Sequence, residues 1–408
     1  MRAVLVRPRG TRRLAGLARA KLAGLARLTG LAGPRRLAGL RLAALALLGF
    51  GLLGAGCATG RLDATKPAGP NARDIDGLMR LSGWMAVGVG IFVAAAVVII
   101  IVKFRAKPTD DPDELPPQIH GHRKAELTWT IIPTAMLVFL AVMTLPTVFA
   151  LAEQGDGRTI KVEGQQWWWQ FSYDLDSDGT YDIVTANDLV IPVGEEVNLE
   201  IHSNDVIHSF WIPQLNGKKD AVPGRVHHWR ISSDEPGIFY GECVEFCGLS
   251  HANMQMRTVA LSEADFQRWV REQQAGQQAA AVAPADGTPA AAGATLFETH
   301  CISCHVVDGA YESAAGGNAN LIAGVAPNLT NLMSRTAFAG ALFETYLPDG
   351  SVNLAELREW VRNAPSMKPA RADNRQGMLD FSGVLTDTDL DNLMAYLQTL
   401  GGAPVLPR

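Results

Sequence analysis

Two long uncharged runs, Trp84–Val102 (19 residues) and Leu127–Leu151 (25 residues), constrain this chain more than any other feature. A helix rises about 1.5 Å per residue, so each run can cross a hydrocarbon core of about 30 Å. The sequence therefore predicts a transmembrane helical hairpin, with spans over about 81–104 and 127–151. Lys103, Arg105 and Lys107 leave the first run, and Arg123 and Lys124 precede the second. An excess of positive charge marks a loop as cytoplasmic. Both ends of the hairpin, and everything after Leu151, are then expected outside.

The remaining length calls for two or three further units, since 408 residues exceed one ordinary domain. A net charge of −5 gives no reason to expect nucleic-acid binding. The charge is unevenly spread: eleven Lys or Arg fall in the first 41 residues, and no acid precedes Asp63. Residues 1–56 read as an export segment, basic at first and then apolar from Leu42 to Gly56. They end in Leu53-Gly54-Ala55-Gly56-Cys57, which is similar to a bacterial lipoprotein signal with Cys57 as the lipidated residue. The aliphatic residue lies one place early, at Leu53, and a plain signal peptide or a misplaced start codon is the alternative. Residues 57–157 then hold the N-terminal segment and the hairpin.

From Thr159 the pattern changes. Val197, Leu199 and Ile201 alternate with polar neighbours, as do His227, Trp229 and Ile231, the period-two signature of half-buried strands. Pro192-Val193-Gly194, Pro223-Gly224 and Pro236-Gly237 punctuate them. An all-β sandwich or barrel over 158–272 is expected. Residues 273–292 read as an Ala/Gln/Pro/Gly linker. The unit at 293–402 is helical in pattern, with Leu390, Leu393, Met394 and Leu397 at helix spacing behind a cap at Thr386 or Asp387.

The five cysteines are one single and two close pairs. The first pair lies in Cys243-Val-Glu245-Phe-Cys247-Gly-Leu-Ser-His251-Ala-Asn-Met254. Thiolate, thioether and imidazole together select copper over hard cations. A mononuclear blue-copper site needs one cysteine, whereas two on one loop can bridge two copper ions, each completed by a histidine. His208, in Asp205-Val206-Ile207-His208-Ser209-Phe210-Trp211, is the best second histidine. Met254 and the Glu245 carbonyl would complete the two coppers. A zinc site or a Cys243–Cys247 disulfide are the alternatives, although methionine is a poor zinc ligand.

These residues carry a resemblance. Residues 74–261 resemble subunit II of the haem–copper cytochrome c oxidases. The match runs through Glu126-Leu-Thr-Trp129-Thr-Ile-Ile-Pro133, Gln166-Trp167-Trp168-Trp169, Ile207–Pro213, Gly217–Arg225 and the cysteine loop, in order. The resemblance implies a helical hairpin followed by a cupredoxin-like Greek-key barrel. It also implies Cys243, Cys247, His208, His251, Met254 and the Glu245 carbonyl as ligands of a dinuclear copper A centre. By the same resemblance the Glu245 carboxylate binds a magnesium ion shared with subunit I. It further implies Trp167 as the aromatic residue where electrons arrive over the copper, and Glu126 as the mouth of a proton path in subunit I. On residue type alone, Trp167 is a barrel aromatic and Glu126 an interfacial carboxylate.

The second pair is Cys301-Ile302-Ser303-Cys304-His305, the C-x-x-C-H attachment motif of c-type haem. Two thiols add to the haem vinyl groups and the histidine ligates iron; a free C-x-x-C redox pair is the alternative, disfavoured by His305. An all-α cytochrome c domain follows. In cytochromes fused to this oxidase subunit a Lys-Pro precedes the ligand methionine, and Lys368-Pro369 followed by Met378 has that order, though Leu379 stands where proline is usual. Met378 is therefore expected as sixth ligand in preference to Met367. Pro327-Asn328-Leu329 resembles the segment that packs on the haem. Asp174-Leu-Asp176-Ser-Asp178-Gly179 lacks the glutamate of a calcium loop and reads as a polar turn.

The resemblance implies subunit II of a caa-type oxidase in a bacterial inner (plasma) membrane, with copper and haem on the outer, extracytoplasmic face. Its partners would be subunit I and the other oxidase subunits. Quinol–cytochrome c reductase or a c-type cytochrome would supply electrons, while oxygen reduction and proton pumping would belong to subunit I. Another terminal reductase built on the same copper module, or a copper carrier, are the competing classes.

Overall fold

The uncharged runs lie inside helices α1 (Pro70–Phe104) and α2 (Arg123–Ala152) of a computed structural model describing residues 60–106, 110–111, 115, 117–118, 120–310, 326–370 and 377–408. At about 1.5 Å per residue α1 is longer than a bilayer core requires. Its first turns serve the β domain instead: Asn71, Ala72 and Asp76 are buried, and the Asn71 amide donates to the Arg230 carbonyl. Further along, Phe92 is 73% exposed and Ile101 61%. Large apolar side chains left uncovered along both helices fit a lipid-facing surface. Cys57 and the export segment lie outside the described residues.

Strands β1 (Thr159–Gln165), β2 (Trp168–Tyr173), β3 (Ile183–Ala186), β4 (Asp188–Pro192) and β5 (Val197–Ser203) follow the hairpin. Next come β6 (His208–Trp211), β7 (Lys219–Ala221), β8 (His227–Ile231), β9 (Gly237–Cys243) and β10 (Gln255–Leu261). They form two five-stranded sheets, β3-β2-β1-β5-β8 and β4-β10-β9-β6-β7. The pairs β1/β5 and β4/β10 are parallel and the rest antiparallel, so the chain crosses between sheets in the Greek-key manner. Alternation predicted the inward residues: Val197, Leu199 and Ile201 are all buried, packed with Phe171, Phe210 and Ile191. Each such side chain contributes about 1.5–3 kcal/mol of burial.

The stretch expected as a linker is helical at both ends. Helix α3 (Glu263–Ala280) starts at a Ser262 cap and runs on through Gln273, and α4 (Pro289–His300) starts at a Thr288 cap. Only 281–288 joins them. Alanine and glutamine are good helix formers, and after Phe266, Trp269 and Val270 the buried face of α3 continues with Gln273 and Gly276 rather than with large apolar residues. After α4 come a short pair, β11 (Ala337–Phe338) and β12 (Phe343–Glu344), and helices α5 (Leu354–Met367) and α6 (Asp387–Leu397). Thr386 caps α6 in a reciprocal box with Asp389, and Leu390, Leu393, Met394 and Leu397 are buried as their spacing predicts. They pack with Phe297, Leu357 and Val361 into a second core.

Candidate functional site

The cysteine loop, residues 244–254, joins two neighbouring antiparallel strands. Cys243 ends β9, Gln255 opens β10, and the Cys243 amide donates to the Met254 carbonyl at 2.9 Å, closing the loop's base. On the other side of β9 lies β6, with Phe210 opposite Cys243. His208, two residues back and on the same face, therefore projects over the loop. A strand and a loop far apart in sequence are brought to one end of the barrel.

The six expected copper donors converge there. The sulfurs of Cys243 and Cys247 are 3.8 Å apart, too far for a disulfide. His208 Nδ1 is 3.9 Å from the Cys243 sulfur and His251 Nδ1 is 3.5 Å from the Cys247 sulfur. The Met254 sulfur is 3.9 Å from that of Cys247, and the Glu245 carbonyl is 3.3 Å from that of Cys243. Each sulfur thus has its own histidine and one weak donor, a two-fold set that fits two metals bridged by two thiolates. The two thiols share a hydrogen bond, so Cys243 is held down to about 4 while Cys247 is pushed up. Burial opposes charge on His208, yet hydrogen bonds to Asp205 and Cys243 outweigh it and raise its pKa. Asp205 holds His208 Nε2 at 2.8 Å, which turns Nδ1 toward the sulfurs.

Trp167 is buried, at 3% exposure, beside this loop. Its indole N–H donates to the Cys247 carbonyl at 3.0 Å, and the Gln166 side-chain amide donates to the same oxygen at 2.6 Å. Gln166 and Asp205 are functional neighbours that the ligand pattern alone did not single out. Glu126 lies in the first turn of α2, where its carboxylate accepts the His122 amide at 2.9 Å. The Glu245 side chain is exposed beside the loop. Asp174, Asp176 and Asp182 cluster nearby in sequence, but Asp174 accepts the amides of Asp178 and Gly179, as in a self-closed polar turn.

In the helical unit Cys301, Cys304 and His305 follow α4 in one tight turn, the His305 amide donating to the Cys301 carbonyl. His305 Nδ1 donates to the Pro327 carbonyl at 2.8 Å, leaving Nε2 with its lone pair free of that bond. Burial lowers the His305 pKa, which favours the neutral ring that iron ligation needs. Burial also pushes the Cys301 thiol up to about 12. Met378 packs against the same core as Cys301 and Leu329, whereas Met367 ends α5 next to Lys368. The arrangement fits a haem held by two thioethers and a histidine.

The two folded units meet through polar contacts. Arg257 on β10 pairs with Glu344 on β12, and the buried Asp188 carboxylate accepts the backbone amide and hydroxyl of Thr336. Gln273 of α3 donates to the Ser334 hydroxyl at 2.8 Å, and Ser250 donates to the Pro369 carbonyl. Lys368 reaches across to the Trp167 carbonyl at 2.6 Å. The helical unit therefore covers the very turn that carries Trp167.

Comparison with known proteins agrees with this geometry. The family model for the cytochrome c oxidase subunit II transmembrane domain matches residues 60–147, that for its periplasmic domain residues 174–261, and that for cytochrome c residues 290–401. The chain is 38% identical over 352 residues to cytochrome c oxidase subunit 2 of Alkalihalophilus pseudofirmus, covering 83% of this chain and 91% of the relative. It is 33% identical over 364 residues to the subunit of that name from Bacillus sp. (strain PS3), covering 86% and 94%. The barrel match implies a dinuclear copper centre, the C-terminal match implies haem c, and the two helices make this a two-span membrane protein. The chain belongs to the family of cytochrome c oxidase subunit II, with a cytochrome c domain fused at its C-terminus.

Proposed function

We propose that this chain is the electron-receiving subunit of a caa-type oxidase. A haem c bound by Cys301, Cys304, His305 and Met378 would take up one electron at a time, and copper A held by the barrel loop would relay it to haem a of subunit I for oxygen reduction coupled to proton pumping. The carrying observation is that the sulfur and histidine donors converge on the barrel loop while a C-x-x-C-H turn follows in the same chain, with the helical unit seated on the Trp167 turn. The protein's own residues hold the centres in place. Asp205 and Pro327 orient the two histidines, and Trp167 and Gln166 tether the Cys247 carbonyl.

A fused donor replaces diffusive encounter with a high effective concentration. Because Trp167 is covered, a soluble c-type cytochrome or quinol–cytochrome c reductase would deliver electrons to the haem domain instead. The positive loop of the hairpin supports an extracytoplasmic location for both centres. Glu245 is left to bind magnesium at the junction with subunit I, Glu126 to feed a proton path, and Cys57 to carry a lipid.

The test is purification of the tagged chain from its membrane. Co-purification with a many-span haem protein, cytochrome-dependent oxygen uptake and proton release by vesicles are expected. Uptake of copper and its transfer to other proteins, without oxygen consumption, would favour a carrier.

A further inference from the structure

A lysine buried between two units is costly unless its hydrogens find acceptors. Lys368 is 7% exposed, and its Nζ donates to the Trp167 carbonyl at 2.6 Å and to the Ala339 carbonyl at 3.1 Å. One acceptor belongs to the turn over the copper loop. The other belongs to the haem unit, where Ala339, Cys301 and Met378 all pack against the same hydrophobic core. On the far side of Trp167 the indole N–H donates to the Cys247 carbonyl. Ala339, Lys368, Trp167 and Cys247 thus form one line of hydrogen bonds and covalent bonds from the haem unit to the copper loop.

The packing leaves little slack. Gly340 has φ +76°, and a Cβ there would stand 2.2 Å from Lys368 Nζ and 3.0 Å from the carbonyl oxygens of Trp167 and Asn253. The Gln255 amide donates to the Gly340 carbonyl at 3.0 Å. Burial pushes the Lys368 pKa down to about 7. A neutral amine still carries two hydrogens for two carbonyls, so the bridge survives either protonation state.

We propose that Lys368 is a positioning residue for interdomain electron transfer: it bridges the haem unit to the Trp167 carbonyl and fixes the gap that the electron crosses. This rests on the function proposed above. The step moves one electron and no atom, oxidising the haem unit by one and reducing the copper loop's metal pair by one. Lys368 is neither oxidised nor reduced.

The test uses the intact oxidase with two variants. Lys368→Met keeps a long side chain but removes the donor; Gly340→Ala keeps the lysine and drives its ammonium off the carbonyls. The haem is reduced by a light-triggered donor and arrival of the electron at copper is followed optically. Both variants are expected to slow this step by about tenfold to a hundredfold, the scale on which small misplacements act. The haem spectrum and potential and the copper EPR signal should stay unchanged, while the Gln255 amide exchanges with deuterium faster. Wild-type rates in either well-folded variant would overturn the proposal. Loss of haem or copper from both variants would also overturn it, because Lys368 would then support the folds rather than the contact between them. Should the wild-type haem itself fail to reduce copper, the proposed function is what fails, and amide exchange in the variants still reports on the bridge.

Discussion

Arg257, on an inner strand of the barrel, donates to both carboxylate oxygens of Glu344 in the haem unit, at 2.6 and 2.8 Å. The arginine is 2% exposed, whereas the Glu344 side chain is about half exposed. Across the β4/β10 pairing, Arg257 lies opposite Asp188, itself buried and bonded to Thr336 of the haem unit. Burial raises the Asp188 pKa while Arg257 and Arg335 oppose that rise, so the two arginines and the Asp188 and Glu344 carboxyl groups gather into one cluster at the junction. Such a cluster is replaceable as a whole but costly to break in part.

Removing one member should separate the units unequally. Glu344→Ala is expected to weaken their association by about 1–2 kcal/mol, a charge-assisted hydrogen bond discounted for its exposed partner. Arg257→Leu should cost more, because it removes that bond from a buried position and takes away one of the two arginines, with Arg335, that offset the burial of Asp188. Calorimetry checks this through the separation of two unfolding transitions, larger in Arg257→Leu than in Glu344→Ala.

The sixth iron ligand can be assigned by substitution. Met378→Ala should leave the haem covalently attached, convert it to high spin and lower its reduction potential, since methionine ligation raises the potential. Met367→Ala should change neither. Absorption spectra with a redox titration decide between the two residues.

Glu126 has a structural duty as well as its expected one, because its carboxylate accepts the His122 amide at the start of α2. Glu126→Gln keeps an acceptor oxygen for that cap and removes only the charge. If the carboxyl group feeds protons inward, turnover of the oxidase should fall by about tenfold or more with assembly intact, as for the loss of a positioned acid–base group. Unchanged turnover would confine Glu126 to capping.

Much of this was legible along the chain because the relevant physics is local. Two uncharged runs specify spans by length alone. Five of the six expected copper donors lie within twelve residues between two paired strands, and the haem cysteines and histidine lie within five consecutive positions. His208 could be placed only through its neighbours, since strand pairing carries it to the loop. The contacts between units left no such trace. Arg257–Glu344, Asp188–Thr336 and Lys368–Trp167 join residues 87, 148 and 201 positions apart. The helix through Gln273–Ala280 was equally hidden. Its inner face has no apolar stripe: Gln273 is held by Ser334 and Asn331, and Gly276 admits the Asn331 side chain where a Cβ would stand 1.9 Å from its oxygen.

The central claim is that one chain carries both centres, and metal and haem analysis of the purified protein tests it most directly. Two copper ions and one covalently bound haem per chain are predicted, with an EPR signal of one unpaired electron shared over two coppers. Cys247→Ser should abolish that signal and leave the haem band. A single copper, a zinc ion in the cysteine loop, or haem that extracts without cleavage of thioethers would contradict the account.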